Sequence, residues 1–142
     1  MTDATLLYPV FALIALAVVL HAMMCRARVG SLKRGEVKIQ DIALGQPNWT
    51  ARATQIANAY HNQLQLPVLF YVLVAFILIT RANDIFFVAL AWVFVVFRYL
   101  HAYIHTTSND LNKRFPAFAA GAAVLLLMWI LFAVKTIFGV GF

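Results

Sequence analysis

Four long apolar stretches constrain the fold of this chain more than any other feature of its sequence. They cover residues 6–24, 64–80, 85–97 and 115–138. A helix needs about 20 apolar residues to cross the hydrocarbon core of a bilayer, and the first and last stretches reach that length by themselves. The second and third reach it only if their helices continue into the more polar residues 51–63 and 98–107. The pattern therefore predicts an all-α integral membrane protein that folds as a bundle of four transmembrane helices.

The composition argues against a soluble globular domain. Of the 142 residues, 64% are hydrophobic and 11% are charged, whereas soluble domains are about 45–50% apolar and about 25% charged. A domain of this size buries only part of its surface. Lipid must therefore cover much of the apolar surface that remains.

The boundaries of the helices follow from the same pattern. We expect a single membrane domain over residues 1–142, joined at its first connection by a cytoplasmic loop at residues 29–50. The four helices are expected near residues 6–28, 51–80, 84–107 and 115–138. Thr50 is the expected N-cap of the second helix, and Pro116 is the expected first residue of the fourth.

The net charge of +6 is concentrated between the helices. Basic residues crowd the first connection, and Lys113 and Arg114 add to the third, while residues 81–84 and the N-terminus carry little net charge. Because cytoplasmic loops are rich in Lys and Arg, we expect both termini on the non-cytoplasmic side. Such a distribution favours membrane lipids as partners and argues against nucleic-acid binding, for which the sequence has no motif.

The N-terminal residues and the cysteine content argue against a cleaved signal peptide, an internal disulfide and a cysteine-based metal site. Asp3 and the lack of positive charge before the first apolar stretch argue against a cleaved signal peptide. A single cysteine, Cys25, excludes an internal disulfide and argues against a cysteine-based metal site.

A polar stripe follows the start of the second helix. At about 100° per residue, one sector holds Gln55, Asn58, His61, Asn62 and Gln65. Arg52 and Gln63 fall on the opposite side. Polar side chains in this number cannot face lipid, so we expect the stripe to face other helices or a cavity.

The third helix carries a second polar face. Its members, at spacings of i, i+3, i+7 and i+11, are Arg98, His101, His105 and Asn109. Arg98 follows a long apolar run and needs a partner for its permanent charge, yet the four apolar stretches contain no carboxylate. A bound anion is therefore a candidate partner for Arg98.

Three interpretations of the histidines stay open. His21, His61, His101 and His105 are expected at similar depth. They form hydrogen bonds between helices, or they line a pocket for an anionic ligand, or His101 and His105 hold a metal or haem. The last is the weakest, because the third helix offers no supporting carboxylate and the chain has no c-type haem motif. We predict no metal site.

Two stretches of the sequence resemble the MAPEG family, the membrane-associated proteins in eicosanoid and glutathione metabolism. Residues 58–67 read Asn-Ala-Tyr-His-Asn-Gln-Leu-Gln-Leu-Pro, and residues 98–101 read Arg-Tyr-Leu-His. His105 and Arg114 extend the resemblance, which covers essentially the whole chain. It implies a MAPEG-like homotrimer that holds glutathione between neighbouring subunits near the cytoplasmic side.

The resemblance also implies roles for individual residues. Arg114 matches the arginine that stabilises the glutathione thiolate in catalytic members. Residues that match positions holding the tripeptide are Asn58, Asn62, Gln65, Arg98, His101 and His105. The second-helix pattern of the family is Arg-Ala-x-x-Asn-x-x-Glu, so neutral Asn58 and Gln65 stand where the family has an arginine and a glutamate. A tyrosine is common at the position of His105.

Two functions are compatible with this sequence. The first is a glutathione-dependent transferase or peroxidase that acts on a lipophilic small molecule by thiolate activation. The alternative is a non-catalytic ligand-binding or lipid-binding protein, or an accessory subunit of a larger membrane complex, because both charged positions have become amides.

Overall fold

The computed structural model describes residues 3–139, with side chains from residue 5 onward. All regular secondary structure in this range is helical. Five α-helices follow one another, namely α1 (Leu7–Lys33), α2 (Ala51–His61), α3 (Leu66–Ile79), α4 (Ile85–Thr106) and α5 (Leu111–Phe138). Short 3-10 turns lie at Asp3–Leu6, Ile39–Asp41 and Asn62–Leu64. Four spans in this range are long and apolar enough to cross a membrane, and α2 and α3 together form the second, Ala51–Ile79. The predicted all-α fold with four spanning helices is confirmed.

The two ends of the bundle are defined by contacts between neighbouring spans. Arg52 at the start of α2 donates to the backbone oxygen of Thr106 at the end of α4, at 2.6 Å. We call this end, with the connections at residues 34–50 and 107–110, the site end. At the opposite, far end, Lys135 near the end of α5 pairs with Asp84 before α4, at 2.6 Å.

Two of the predicted boundaries were wrong. The first helix continues to Lys33, beyond the expected end at residue 28, so the connection begins at residue 34. The fourth spanning helix begins at Leu111, because the Asp110 side chain accepts from the backbone N–H of Asn112 and acts as N-cap. Pro116 therefore lies inside α5 and is not its first residue.

The second span is interrupted, whereas the sequence predicted one helix over residues 51–80. The α-helix stops at His61, a 3-10 turn follows, and α3 starts at Leu66 with Pro67 in its first turn. Pro67 has no N–H to offer the carbonyl one turn before it, which favours a break at this point. The expected N-cap of this span is confirmed, since the Thr50 side chain accepts from Ala53 N.

The main apolar core fills the far half of the bundle. Phe70 of α3 stacks on Phe94 of α4, with ring centroids 5.0 Å apart, and both side chains are completely buried. Gly121 of α5 faces α4, and a Cβ there would lie in ordinary contact with the Cβ of Phe97, at 3.5 Å. Only small apolar clusters, around Leu20 and Met24, lie nearer the site end. This leaves room in the site half for polar side chains.

Candidate functional site

A cavity of about 200 Å³ lies at the site end, between α4, the start of α5 and the break in the second span. Its lining residues are Asn62, His101, His105, Leu111, Arg114, Phe115 and Phe118. Four of these were predicted as site residues, namely Asn62, His101, His105 and Arg114. The three apolar ones were not predicted, because Leu and Phe in such positions look like any residues that face lipid.

The face of α4 toward this cavity is buried and polar. Arg98, His101 and His105 are 1%, 3% and 6% exposed. Their spacing places them one above another along the helix, so a single face of α4 carries a guanidinium and two imidazoles into the interior.

Arg98 is the largest fully buried side chain in the described part of the protein. Its Nη2 donates to the backbone oxygen of Asn62 at 3.1 Å and also to the Asn62 side-chain oxygen. Its guanidinium carbon lies 5.9 Å from the ring centre of Phe118. Arg98 is therefore in contact with two residues that line the cavity.

No carboxylate among the described side chains balances the charge of Arg98. The ion pairs among the described residues are Arg34–Glu36, Lys113–Asp110 and Lys135–Asp84. Two donor atoms of Arg98, Nε and Nη1, are buried without a hydrogen-bond partner. A buried charge without a partner is strongly unfavourable, so this position suits an anionic ligand.

The contact with Asn62 also has a structural explanation. Because α2 ends beside Asn62, the last carbonyls of that helix lack the amide partners of a continuous helix. Arg98 supplies one such partner through Nη2. Arg98 thus holds the broken span against α4, while its Nε and Nη1 atoms have no hydrogen-bond partner.

The tautomer of His101 follows from its hydrogen bond. Nδ1 lies 3.1 Å from the backbone oxygen of Arg114, and since a carbonyl only accepts, Nδ1 carries the proton. In the neutral ring, Nε2 is then an acceptor, and it is buried without a partner. The Nδ1 atom of His105 is also buried without a partner, and the two rings lie 5.5 Å apart.

Arg114 is half-buried and lies in the first turns of α5. Its Nη1 donates to the side-chain oxygen of Asn109, which has a left-handed backbone with φ of 52°. The N-terminal end of a helix is positively polarised. Arg114 and the start of α5 therefore give the cavity a positive wall.

The start of α2 positions this wall indirectly. Gln55 donates from Nε2 to the backbone oxygens of His105 and Thr107, at 2.8 and 3.3 Å, and Arg52 donates to that of Thr106. Arg52 also donates to the Gln55 side chain at 3.2 Å. The prediction that Arg52 and Gln55 point to opposite sides was wrong, because residues three positions apart are neighbours on a helix surface, and both side chains donate to carbonyl oxygens at the end of α4.

The other predicted residues lie outside the cavity. Asn58, His61 and Gln65 are exposed in the single chain, and Gln65 accepts from the Asn62 side chain at 3.2 Å. Gln63, expected on another side of the helix, is buried, and its Oε1 has no partner. Within residues 3–139, no group of three or more His, Cys, Asp or Glu side chains is arranged to hold a metal ion.

Fold and site together define a polytopic membrane protein: four spanning segments with a polar cavity and a buried arginine at one end of the bundle. The family model described as the MAPEG family matches residues 6–134. The chain therefore belongs to the MAPEG family. None of the curated proteins and none of the solved structures shows a significant match to it.

Proposed function

We propose that this protein binds reduced glutathione at the site-end cavity and uses it as the thiol cosubstrate for reactions of lipophilic compounds. The observation that carries this proposal is the buried, uncompensated charge of Arg98 beside a cavity lined by Arg114. A transferase and a peroxidase both start from the same ionised thiol, so the proposal covers either reaction.

The residues present fit the groups of a glutathione molecule. Carboxylates would accept from the free donors of Arg98, with charge-assisted hydrogen bonds about twice as strong as neutral ones. An amide or thiol hydrogen would find an acceptor at Nε2 of His101. Asn62 and His105 complete the polar lining.

A neighbouring subunit would complete the site. Small-molecule sites usually measure about 300–1,000 Å³, and the cavity of one chain is about 200 Å³. Asn58 and Gln65 are polar side chains of a membrane span that are exposed in the single chain, and lipid is a poor environment for them. In the proposed homotrimer, a second subunit covers the face that carries Asn58 and Gln65, so that these side chains contact the ligand.

Arg114 is the proposed catalytic residue. A free thiol has a pKa of about 8.5, and a nearby cation lowers that pKa and raises the thiolate fraction at neutral pH. The Arg114 side chain and the positive end of α5 provide this cation. The apolar wall of Leu111, Phe115 and Phe118 would admit a lipophilic second substrate from the membrane.

Separate assays of turnover and binding test this role. In Arg114→Ala we expect conjugation of glutathione to a lipophilic aryl halide to fall by about 100-fold or more, while calorimetric affinity for glutathione changes only a few-fold. The matched control is Arg81→Ala, which removes an exposed arginine at the far end and leaves both values unchanged. Full activity in Arg114→Ala would remove the catalytic assignment.

A second candidate function is a non-catalytic ligand-binding protein or an accessory subunit of a membrane complex. The exposed, neutral Asn58 and Gln65 favour it, because neither supplies the charge that grips glutathione in catalytic relatives. Exposed Ala119 and Ala123 on α5 offer a surface for close helix packing. Mass measurement after gentle solubilisation separates the two: a trimer alone supports the enzyme, and co-purified partners support the accessory subunit.

The proposal places the site end in the cytoplasm, on the basis of the basic residues in both connections at that end. Labelling with an impermeant maleimide tests this in a Cys25→Ala background. Gln40→Cys lies in the exposed first connection and Arg81→Cys in the far-end turn. We expect only Arg81→Cys to react in intact cells. Reaction of Gln40→Cys alone would show that the topology is the opposite one.

A further inference from the structure

A second cavity at the site end, separate from the first, has basic side chains at its rim. It measures about 390 Å³ and lies between the end of α1 and the start of α2. Arg26, Arg34 and Arg52 line it together with the apolar side chains of Met23, Ala27 and Ile56. None of its lining residues is acidic. Its size falls within the range of about 300–1,000 Å³ that is typical of small-molecule sites.

The three arginines differ in how far they are already engaged. Arg52 donates to Thr106 O and to Gln55. Arg34 forms a bidentate pair with Glu36, at 2.7 and 2.9 Å. Arg26 is exposed and belongs to none of the ion pairs of the described residues. The guanidinium of Arg26 is therefore free to bind an anion.

The local backbone keeps Arg34 near the cavity. Its side chain folds back over α1, so that a Cβ on Gly30 would lie only 3.0 Å from Arg34 Nη1. The hydrogen bond from Arg34 lowers the pKa of the Glu36 carboxyl below its usual range. Glu36 therefore stays ionised at neutral pH and competes with any other anion for Arg34.

The depth of the cavity indicates what kind of anion it suits. The apolar part of α1 ends at Met24, and Arg26 is the first charge after it, which is where the headgroups of a bilayer begin. An arginine rim suits a phosphate, while Met23, Ala27 and Ile56 offer an apolar surface for the carbon atoms attached to it. Basic pockets between transmembrane helices are known to bind anionic lipid headgroups.

We propose that the cavity between α1 and α2 binds the phosphodiester headgroup of an anionic phospholipid, with Arg26 and Arg34 as the principal ligands. Phosphate is the shared chemistry of such a lipid and of free inorganic phosphate. The apolar side chains of Met23, Ala27 and Ile56 in the cavity favour the lipid. This site does not depend on glutathione binding, because it shares no lining residue with the first cavity.

Native mass spectrometry of the full-length protein in detergent tests the proposal. The added lipids are phosphatidylglycerol and phosphatidylcholine with identical acyl chains. We expect phosphatidylglycerol to bind about tenfold more tightly or better, since each nearby arginine contributes about a fivefold factor. Arg26→Gln should weaken phosphatidylglycerol about fivefold and leave phosphatidylcholine unchanged.

Two further variants sharpen this test. Glu36→Gln frees Arg34 and should raise the affinity for phosphatidylglycerol. Arg81→Gln is the matched control, because it removes one arginine at the far end, and it should change neither lipid.

Three outcomes would overturn the proposal. One is equal affinity for the two lipids, and another is an equal loss in Arg26→Gln and Arg81→Gln. The third is displacement of phosphatidylglycerol by inorganic phosphate at equal concentration, which would identify the ligand as a free phosphate and not a lipid.

Discussion

Among the described residues, buried polar atoms without partners are concentrated in the site half of the bundle, and the far half contributes one of them, Oδ1 of Asn83. In the far half, Asp84 accepts from the backbone N–H groups of Phe86 and Phe87 and pairs with Lys135, so its charge is fully engaged. In the site half, Arg98, His101 and His105 supply four of the seven buried side-chain atoms without a partner among the described residues. Buried polar groups without partners reduce stability. The difference indicates that the far half contributes most to the stability of the fold, and it fits the binding role that we propose for the site half.

Removing a core aromatic should show that stability depends mainly on the far half. Phe94→Ala deletes a completely buried ring that stacks on Phe70, and such changes reduce the free energy of unfolding by about 3 kcal/mol. The matched control is Phe86→Ala on the same helix, where the ring is 60% exposed and we expect about 0.5 kcal/mol or less. Thermal unfolding in detergent measures both, and similar losses would contradict the division between the halves.

Restoring the charges of the family pattern should strengthen binding in the site half. In Asn58→Arg with Gln65→Glu, we expect calorimetric affinity for glutathione to rise by about one to two powers of ten. Both positions are exposed in the single chain, so the fold should tolerate the change. The two single variants serve as controls, each with a smaller gain. An unchanged dissociation constant in the double variant would show that this face of the second span does not contact the ligand.

Breaking the far-end ion pair should affect stability alone. Lys135→Ala leaves Asp84 half-buried without its cation, which we expect to reduce the free energy of unfolding by about 1–2 kcal/mol. Lys113→Ala is the control, since its contact with Asp110 is 4.0 Å and Lys113 is exposed, and exposed pairs contribute about 0–1 kcal/mol. Glutathione affinity should be the same in both variants. A loss of affinity in Lys135→Ala would mean that the two halves are coupled.

Much of the fold could be read from the sequence, because a bilayer permits few solutions. The apolar stretches identified the four spans once the second and third were extended into the polar residues beside them, since backbone groups in lipid must be satisfied within a helix. The i, i+3, i+7 spacing predicted that Arg98, His101 and His105 share a face, and the structure buries all three on α4.

The sequence did not show two kinds of feature. In one, a single residue overrides the helical pattern around it, and in the other, long side chains contact a neighbouring helix. Pro67 interrupts the second span, although the residues around it follow a helical pattern. Asp110 caps α5 about one turn before the predicted start. The helix therefore begins earlier and includes Pro116 in its interior. The contacts of Arg52 and Gln55 with the end of α4 depend on how two helices pack, which a helical wheel of one segment cannot show.

Calorimetric titration of reduced glutathione into the detergent-solubilised protein tests the central claim most directly. The claim is that the charge of Arg98 is buried in order to bind an anion. We predict binding at millimolar affinity or tighter in the natural protein and in Lys135→Ala, and its loss in Arg98→Ala. The absence of heat at millimolar glutathione, supported by an independent binding signal, would contradict the claim, as would equal affinity in Arg98→Ala.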